Sequence, residues 1–425
     1  MTRLTLVSMT VLLGACEPAV PGAAPGAPAV NTHYGATCAA YVADMGVTTP
    51  SGPCVGSKSF TTPGGIAGTE LGVRADCADP SGTISGNLDK RHVVMAPNTG
   101  AAGLPLWVHL GGTAGKPTNT ENIGEAAVDA GYRYISLAYL NNVSVSDRCT
   151  CPSRERRAGN CNEEVRLELL TGDDFSADFD MDPEESIENR LAALLYTLDQ
   201  QYPAGGWDAY YDLSTHKPLW EEMAISGFSQ GGGMAGLIAR DHEVDRVLYF
   251  SKGVGQTVNI VADPSVAVVC TAPGDCSGDQ QCCPLDEFDE TCAVNVAKTN
   301  YCLEQVVAPW GFTGEDTDGD GFGDGDETTR ATPASRSYAL VHEDENAWDY
   351  SPDVFDAWGL GAPSTFVDAD PGGPFGASDR LFSTDTPPPA GTKCSEHQSM
   401  GADGCQPKSA GVPIMYDAWI HAMTN

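Results

Sequence analysis

Basic side chains are scarce in this sequence. Its 425 residues include 23 lysines and arginines against 58 aspartates and glutamates, which gives a formal net charge of −35. A surface of this sign repels nucleic-acid phosphates, so we exclude nucleic-acid binding. The acidity fits a well-solvated exterior in salty surroundings, or bound cations, and it carries no information about the fold.

Long hydrophobic runs are also absent. The apolar run at residues 4–13 follows Arg3 and is too short to cross a bilayer, so it reads as a targeting leader. It ends in Leu-Gly-Ala-Cys at 13–16, which resembles the lipobox of bacterial lipoproteins. The resemblance implies cleavage before Cys16 and lipidation of that cysteine. The protein would then be held at the bacterial cell envelope, on the outer membrane or cell surface, and would touch membrane only through the lipid. A plain signal peptide is the alternative.

The chain divides into three parts on composition. Residues 1–16 form the leader and lipobox, and residues 17–35 form a linker whose first part is rich in Pro, Ala and Gly. Such a linker buries no core and stays extended. Residues 36–425 are long enough for one large domain with insertions.

Cysteines are numerous and indicate disulfides. There are 15, and an even number remains once Cys16 is set aside for the lipid. An exported chain enters an oxidising compartment, so up to about seven disulfides are expected, with a connectivity that the sequence leaves open. Zinc is the competing interpretation, but the spacings at 149–151 and 282–283 do not form paired C-x₂-C ligand sets.

Apolar runs alternate with helical patterns along the chain. Strands are predicted at 91–95, 104–110, 134–139, 246–250 and 337–341, with a last strand at 364–367 or 380–383. Helices are predicted at about 120–130, from an Asp182 N-cap through 198, and at 412–423. This alternation predicts an α/β fold with a mostly parallel central sheet and helices on both faces.

The chain is organised around residues 227–231, Gly-Phe-Ser-Gln-Gly, a G-x-S-x-G sequence. An apolar run precedes it, and small residues followed by Leu237 and Ile238 come after it, which predicts a strand, a sharp turn and a helix. Such a turn exposes the Ser229 hydroxyl and needs glycines where strand and helix nearly touch. A glycine-rich loop after a strand is the plainer interpretation.

This pattern, with Leu-Gly-Gly-Thr at 110–113, resembles the α/β-hydrolase superfamily over most of residues 90–425. The resemblance implies a nucleophile, an acid and a histidine in that chain order. Ser229 would be the nucleophile and His397 the base, with His342 as the rival base. Asp344 is the preferred acid, and Glu343 and Glu345 remain open. His397 lies in a loop between Cys394 and Cys405, and a bridge between these two would clamp it.

An oxyanion hole needs two backbone donors in this superfamily. The resemblance implies that the amide of Gln230 is one and that the amide of Thr113 or Gly112 is the other. The family's frequent His-Gly-Gly-Gly reads His-Leu-Gly-Gly at 109–112, so the motif is not intact.

An acidic stretch at 316–327 resembles EF-hand and thrombospondin type 3 calcium loops. It has acids at positions 1, 3, 5, 9 and 12 and a glycine at position 6, where the sharp turn needs it. The ligands would be Asp316, Asp318, Asp320, the Phe322 carbonyl, Asp324 and Glu327. We expect structural calcium, no organic cofactor, and a disulfide- and calcium-stapled lid formed by a cysteine-rich insertion at about 255–335.

Together these patterns predict a serine hydrolase that cleaves a small-molecule or polymeric carboxylic ester through an acyl-enzyme. A peptidase or an acyltransferase on the same scaffold is a second possibility. A non-catalytic, calcium-stabilised surface binding protein is a third, and it would have no need for Ser229, an acid and His397 in this order.

Overall fold

A ten-stranded sheet organises the part of the chain that the computed structural model describes. The described residues are 55–78, 91–142, 144–145, 161–176, 179–251, 256–260, 269–270, 281–284, 300–308, 330–345, 355, 360 and 364–425. Across the sheet, neighbouring strands begin in this order at residues 55, 67, 91, 133, 106, 223, 247, 337, 381 and 365. The first three pairings are antiparallel, and the six that follow are parallel. The predicted mostly parallel sheet is confirmed.

The sheet strands lie close to the predicted runs. Their bounds are β1 Val55–Thr61, β2 Ala67–Arg74, β3 Arg91–Pro97, β4 Leu106–Leu110, β5 Arg133–Leu137, β8 Met223–Phe228, β9 Val247–Phe250, β14 Ser337–His342, β15 Thr365–Phe366 and β16 Leu381–Thr384. Both candidates for the last strand are strands, and β16 lies between β14 and β15.

Smaller strands lie outside this sheet. They are β6 Tyr211–Asp212, β7 Lys217–Pro218, β10 Gln256–Ile260, β11 Val269–Cys270, β12 Gln281–Pro284, β13 Asn300–Ala308, β17 Lys408–Ser409 and β18 Val412–Pro413. Strands β10 to β13 form a separate four-stranded sheet within the predicted insertion.

Helices pack on both faces of the large sheet. They are α1 Ala75–Ala78, α2 Glu121–Asp129, α3 Cys161–Thr171, α4 Ile187–Gln201, α5 Gln230–Asp241, α6 Glu396–Gly401 and α7 Tyr416–Thr424. On one face, Leu191 of α4 and Leu237 of α5 join a core with Val108 of β4. On the other, Ile123 of α2 and Trp419 of α7 join a core with Trp107. Adjacent residues of β4 therefore point to opposite faces, as a strand requires.

Two predicted helix boundaries are wrong. Residues 183–185 form a 3₁₀ turn, and Ser186 is the N-cap of α4, accepting a hydrogen bond from the Asn189 amide at 3.2 Å. Ser186 therefore supplies the cap predicted for Asp182. The closing helix α7 begins at Tyr416, because the hairpin of β17 and β18 occupies residues 408–413.

Several predictions fall outside the described residues. These are the leader with Cys16, the linker at 17–35, and the calcium ligands Asp316, Asp318, Asp320, Phe322, Asp324 and Glu327. Within the described ranges, no group of three or more His, Cys, Asp or Glu side chains is arranged to hold a metal. Among the same residues, no helix is both long and apolar enough to cross a membrane.

Candidate active site

Ser229 sits in a strained turn between β8 and α5. Its backbone has φ 54° and ψ −116°, which is unusual for a residue with a side chain. The Ser229 amide donates to the Phe250 carbonyl at 3.0 Å, and its own carbonyl accepts from the Gly233 amide at 3.2 Å. The surrounding structure therefore fixes the strained conformation on both sides. The strand, sharp turn and helix predicted for residues 223–238 are therefore present.

Two glycines make the turn sterically feasible. A Cβ on Gly227 would overlap the carbonyl of Gly231, and a Cβ on Gly231 would overlap the carbonyl of Leu110 at the end of β4. Strand β8, helix α5 and strand β4 thus meet backbone to backbone. The G-x-S-x-G sequence is a packing requirement at this position.

The loop after β4 lies directly beside the turn at Ser229. A Cβ on Gly112 would lie 3.0 Å from the Cβ of Ser229, so a side chain there would crowd the hydroxyl. The Thr113 hydroxyl donates to Oε1 of Gln230 at 2.9 Å. Gln230 is the first residue of α5, and first-turn amides have no acceptor within their own helix. The structure therefore brings together all three predicted oxyanion residues next to Ser229.

His397 reaches the same turn from the C-terminal loop. It lies in the first turn of α6, which begins with a capping box formed by Ser395 and Gln398. The imidazole packs on the ring of Phe228, the residue before Ser229, with centroids 4.9 Å apart. The Ser251 hydroxyl donates to the His397 carbonyl at 3.3 Å. The expected bridge between Cys394 and Cys405 is present and closes the loop around the histidine.

The carboxylate that meets this imidazole belongs to Glu345. Its Oε2 lies 2.6 Å from Nδ1 of His397, and its side chain is 1% exposed. The preferred acid, Asp344, is exposed and does not make this contact. The reason is the turn after β14: the Glu345 amide donates to the His342 carbonyl at 3.2 Å, which folds Glu345 back toward the sheet. Asp344 is thus replaced by Glu345, one of the two alternatives.

Glu343, the remaining alternative acid, and His342, the rival base, make other contacts. Glu343 accepts a hydrogen bond from the Ser383 hydroxyl at 2.7 Å. His342 is fully buried, and its Nδ1 accepts from the Asp344 amide at 3.1 Å. Its Nε2 therefore carries the proton and donates to the Thr386 carbonyl at 3.1 Å. Both ring nitrogens are engaged, so His342 is not the base.

The serine, the carboxylate and the imidazole lie at the same edge of the sheet. Ser229 follows β8, Glu345 follows β14, and His397 follows β16, all at the carboxyl ends of parallel strands. The fold is that of the α/β hydrolases. In that fold the nucleophile, acid and histidine occur in this chain order, and triad members are identified by geometry rather than by spacing.

Comparison with known proteins gives distant likenesses only. No protein-family model matches the sequence, and no curated protein matches it. Solved α/β-hydrolase structures that align include a thermostable esterase from Pseudomonas putida, with TM-score 0.29, 12% identity, and coverage of 91% of this chain and 87% of that one. An S-formylglutathione hydrolase from Agrobacterium tumefaciens gives TM-score 0.26 and 14% identity over 45% of this chain and 60% of that one.

A third likeness is to an acetyl xylan esterase from Paenibacillus sp. R4, with TM-score 0.24 and 15% identity. This alignment covers 46% of the present chain and 52% of that enzyme. For this pair and for the Agrobacterium hydrolase, the chain spans less than two thirds of the matched protein. Scores this low identify neither a substrate nor a function.

The histidine of the broken His-Leu-Gly-Gly motif belongs to the core of the fold. His109 of β4 is fully buried, and its Nδ1 lies 2.8 Å from the Ser226 hydroxyl. Because the Trp107 indole donates to that hydroxyl at 2.7 Å, the hydroxyl donates onward to His109. Burial lowers the pKa of His109 to about 3, so the ring is neutral. It takes no part in the candidate site.

The loop between Cys394 and Cys405, which carries His397 and is called the histidine loop below, is attached to α2 through Asp403. The Asp403 carboxylate accepts from the backbone amides of Glu121 at 2.6 Å and Asn122 at 3.1 Å, the first two residues of that helix. The Asp403 amide donates to the Asn119 carbonyl at 2.8 Å. Sequence reasoning missed this attachment, because a cap supplied from so far along the chain has no local signal.

Proposed function

We propose that this protein is a serine hydrolase that cleaves carboxylic esters through an acyl-enzyme intermediate. The observation that carries the proposal is the imidazole of His397, held at 2.6 Å by the buried carboxylate of Glu345 and packed on the residue before a strained serine. Residues held in such costly conformations cluster at active sites. A non-catalytic protein would not need this arrangement, whereas a peptidase or an acyltransferase would share it.

Each residue takes one role in the proposed reaction. The Ser229 hydroxyl attacks the ester carbonyl and passes its proton to Nε2 of His397, which then protonates the departing alcohol. Glu345 accepts from Nδ1–H, so it fixes the tautomer and stabilises the imidazolium. The same imidazole then deprotonates a water molecule, whose oxygen attacks the acyl carbonyl; the bond to the Ser229 oxygen breaks, the imidazolium returns its proton to that oxygen, and the carboxylic acid is released.

The oxyanion is held by two backbone amides in this proposal. Gln230 supplies one from the first turn of α5, where the helix dipole adds favourable potential. Thr113 supplies the other, from the loop that lies against Ser229. Removal of one donor from such a site typically slows acylation by about 10²- to 10³-fold.

The test is labelling of the purified protein with a fluorophosphonate probe, whose phosphorus is attacked by an activated serine with loss of fluoride. We expect labelling of the wild type and none of Ser229→Ala. His397→Ala and Glu345→Gln should slow labelling by roughly 10³-fold or more. Asp344→Asn is the matched control, one residue from Glu345 and exposed, and should label at the wild-type rate.

Either of two results would overturn the proposal. Absence of labelling in the folded wild type would leave a binding protein on a hydrolase scaffold. Labelling that survives Ser229→Ala would place the reactive group elsewhere. Loss of labelling in Asp344→Asn with retention in Glu345→Gln would restore the acid first predicted.

The calcium loop and the lipid anchor are part of the same proposal. The spacing of acids at 316–327 supports a structural Ca²⁺ that takes no part in the reaction, and Cys16 after an apolar leader supports envelope anchoring. Calcium should raise the melting temperature of the wild type but not that of Asp320→Ala. Lipid should be incorporated metabolically into the wild type but not into Cys16→Ala.

A further inference from the structure

Two buried side chains beside the candidate site have no part in the proposed chemistry. Tyr139 and Asn141 follow β5, the strand next to β4, and they are 1% and 2% exposed. Neighbouring parallel strands end at the same edge of the sheet, so these residues lie over the end of β4, from which residues 111–115 emerge.

Their polar atoms bond to the backbone of that loop. The Tyr139 hydroxyl donates to the Gly111 carbonyl at 2.6 Å. The side-chain amide of Asn141 donates to the Gly112 carbonyl at 2.6 Å and to the Gly115 carbonyl at 3.2 Å. In return, the backbone carbonyl of Asn141 accepts from the Ala114 amide at 2.6 Å. A single residue thus contacts the loop at three points.

These bonds determine where the amides of the loop point. The only cis peptide bond among the described residues is Gly373–Pro374, so the bond between Gly112 and Thr113 is trans. In a trans peptide the C=O and the following N–H point in opposite directions. Since Asn141 holds the Gly112 carbonyl, the Thr113 N–H points away from Asn141. Gly112 itself lies against Ser229, so the peptide group between Gly112 and Thr113 borders the proposed nucleophile.

Residues 112–115 of this loop form a strained turn. The Gly115 amide donates to the Gly112 carbonyl at 2.9 Å, and Ala114 has φ +57° at the third position of the turn. That position normally takes glycine, because a side chain is strained there. The three hydrogen bonds between Asn141 and residues 112, 114 and 115 counter the strain.

We infer that Asn141 is a positioning residue for the oxyanion hole and that Tyr139 holds the same loop in place; this inference rests on the proposed serine hydrolase function. Asn141 acts through the peptide group between Gly112 and Thr113 and does not touch the substrate. Its loss lets that peptide rotate, which withdraws the Thr113 N–H from the developing negative charge. Acylation slows, while ground-state binding is little changed.

The experiment compares Asn141→Asp and Tyr139→Phe with wild type on p-nitrophenyl acetate and with the fluorophosphonate probe. Aspartate keeps the size of asparagine but cannot donate to a carbonyl. We expect kcat and the labelling rate to fall by about 10- to 100-fold in Asn141→Asp, with KM within about twofold. Tyr139→Phe keeps the ring and should lose about three- to tenfold in kcat.

The matched control is Tyr134→Phe, which removes a buried phenol hydroxyl from the other end of the same strand. That hydroxyl donates to the Thr120 carbonyl at 3.1 Å, away from residues 111–115. We expect a melting temperature lowered as in Tyr139→Phe but an unchanged kcat. Equal loss of kcat in both tyrosine variants would reduce the effect to general stability and overturn the inference.

The behaviour of the wild type distinguishes failure of the positioning role from failure of the proposed function. If it labels at Ser229 and kcat is unchanged in Asn141→Asp and in Tyr139→Phe, the positioning role is wrong and the hydrolase stands. If the wild type neither labels nor hydrolyses the ester, the proposed function fails and the inference fails with it. Should Asn141→Asp not fold, the comparison of Tyr139→Phe with Tyr134→Phe decides alone.

Discussion

The two halves of the candidate site are built by different means. On the serine half, backbone meets backbone: Gly227, Gly231 and Gly112 let two strands, a helix and a loop approach Ser229. On the histidine half, side chains do the holding, through a disulfide, a capping box and the Asp403 carboxylate. The turn at Ser229 depends on the absence of side chains at these glycines, whereas the loop around His397 depends on particular side chains, one of which bonds to a helix far away in the sequence. We therefore expect the first half to tolerate change least.

The largest effect should come from Gly231→Ala. The added Cβ would meet the Leu110 carbonyl, and backbone of β4 cannot move aside without disturbing the sheet. We expect the free energy of unfolding to fall by about 3 kcal/mol and activity to be lost. Urea unfolding followed by circular dichroism measures it.

The control for this variant is Gly404→Ala, in the histidine half, where a Cβ would have no neighbour within 4 Å. It should leave stability and activity unchanged. Equal tolerance at positions 231 and 404 would remove the distinction between the two halves.

A smaller effect is expected from the double variant Cys394→Ser/Cys405→Ser. The disulfide closes a loop with a sequence separation of 11 around His397. Its removal should cost about 2–3 kcal/mol of stability, mainly because the unfolded chain gains freedom. The looser imidazole should lower kcat by about tenfold, because orientation of the base is degraded. An undiminished kcat would mean that Glu345 and the α6 cap hold the histidine without the bridge.

Asp403→Ala should have a still smaller effect. It removes the cap from the first two amides of α2, which costs about 1 kcal/mol. Because the same contact ties the histidine loop down, we expect kcat to fall by about fivefold. Asp379→Ala is the control: it also removes a carboxylate that accepts from a backbone amide, that of Gly376 at 2.8 Å, but away from the site. It should leave kcat unchanged.

The smallest effect concerns pH. Burial first, then the like charges of Asp403, Glu121 and Asp129, raise the pKa of Glu125 to about 7, against the opposing charge of Lys408. A carboxyl whose pKa is raised on folding contributes stability at low pH that is lost as the pH rises from about 4.5 to about 7. Glu125→Gln should therefore match wild type near pH 4.5.

At pH 8 the same variant should be more stable than wild type by about 1 kcal/mol, less than the full shift implies because solvent screens this half-buried group. Melting temperatures measured from pH 4.5 to pH 8 check the crossover. A stability difference that does not change with pH would show that Glu125 titrates normally.

The same division explains what could be predicted from the sequence. Strand periodicity and the Gly-Phe-Ser-Gln-Gly sequence are local signals, and they were sufficient to predict the sheet and the turn at Ser229. The choice between Asp344 and Glu345 depends on how a turn folds after β14, which three successive acids do not reveal. Neither Asn141 nor Asp403 carries a motif. A positional rule could have found Asn141, since it follows the strand beside β4.

The Asp403 clamp also has a consequence for the order in which the site is assembled. The α2 amides that it caps lie 282 and 281 positions earlier in the chain. Because the chain is made and, as proposed, exported from its amino end, Ser229 precedes His397 and its clamp, so the incomplete chain carries a serine without the proposed base. Contacts of such separation close late and slowly, because the loop-closure entropy precedes any gain. In the proposed hydrolase, the reaction can therefore begin only after the last part of the fold has docked, so the unfinished chain is expected to be inert.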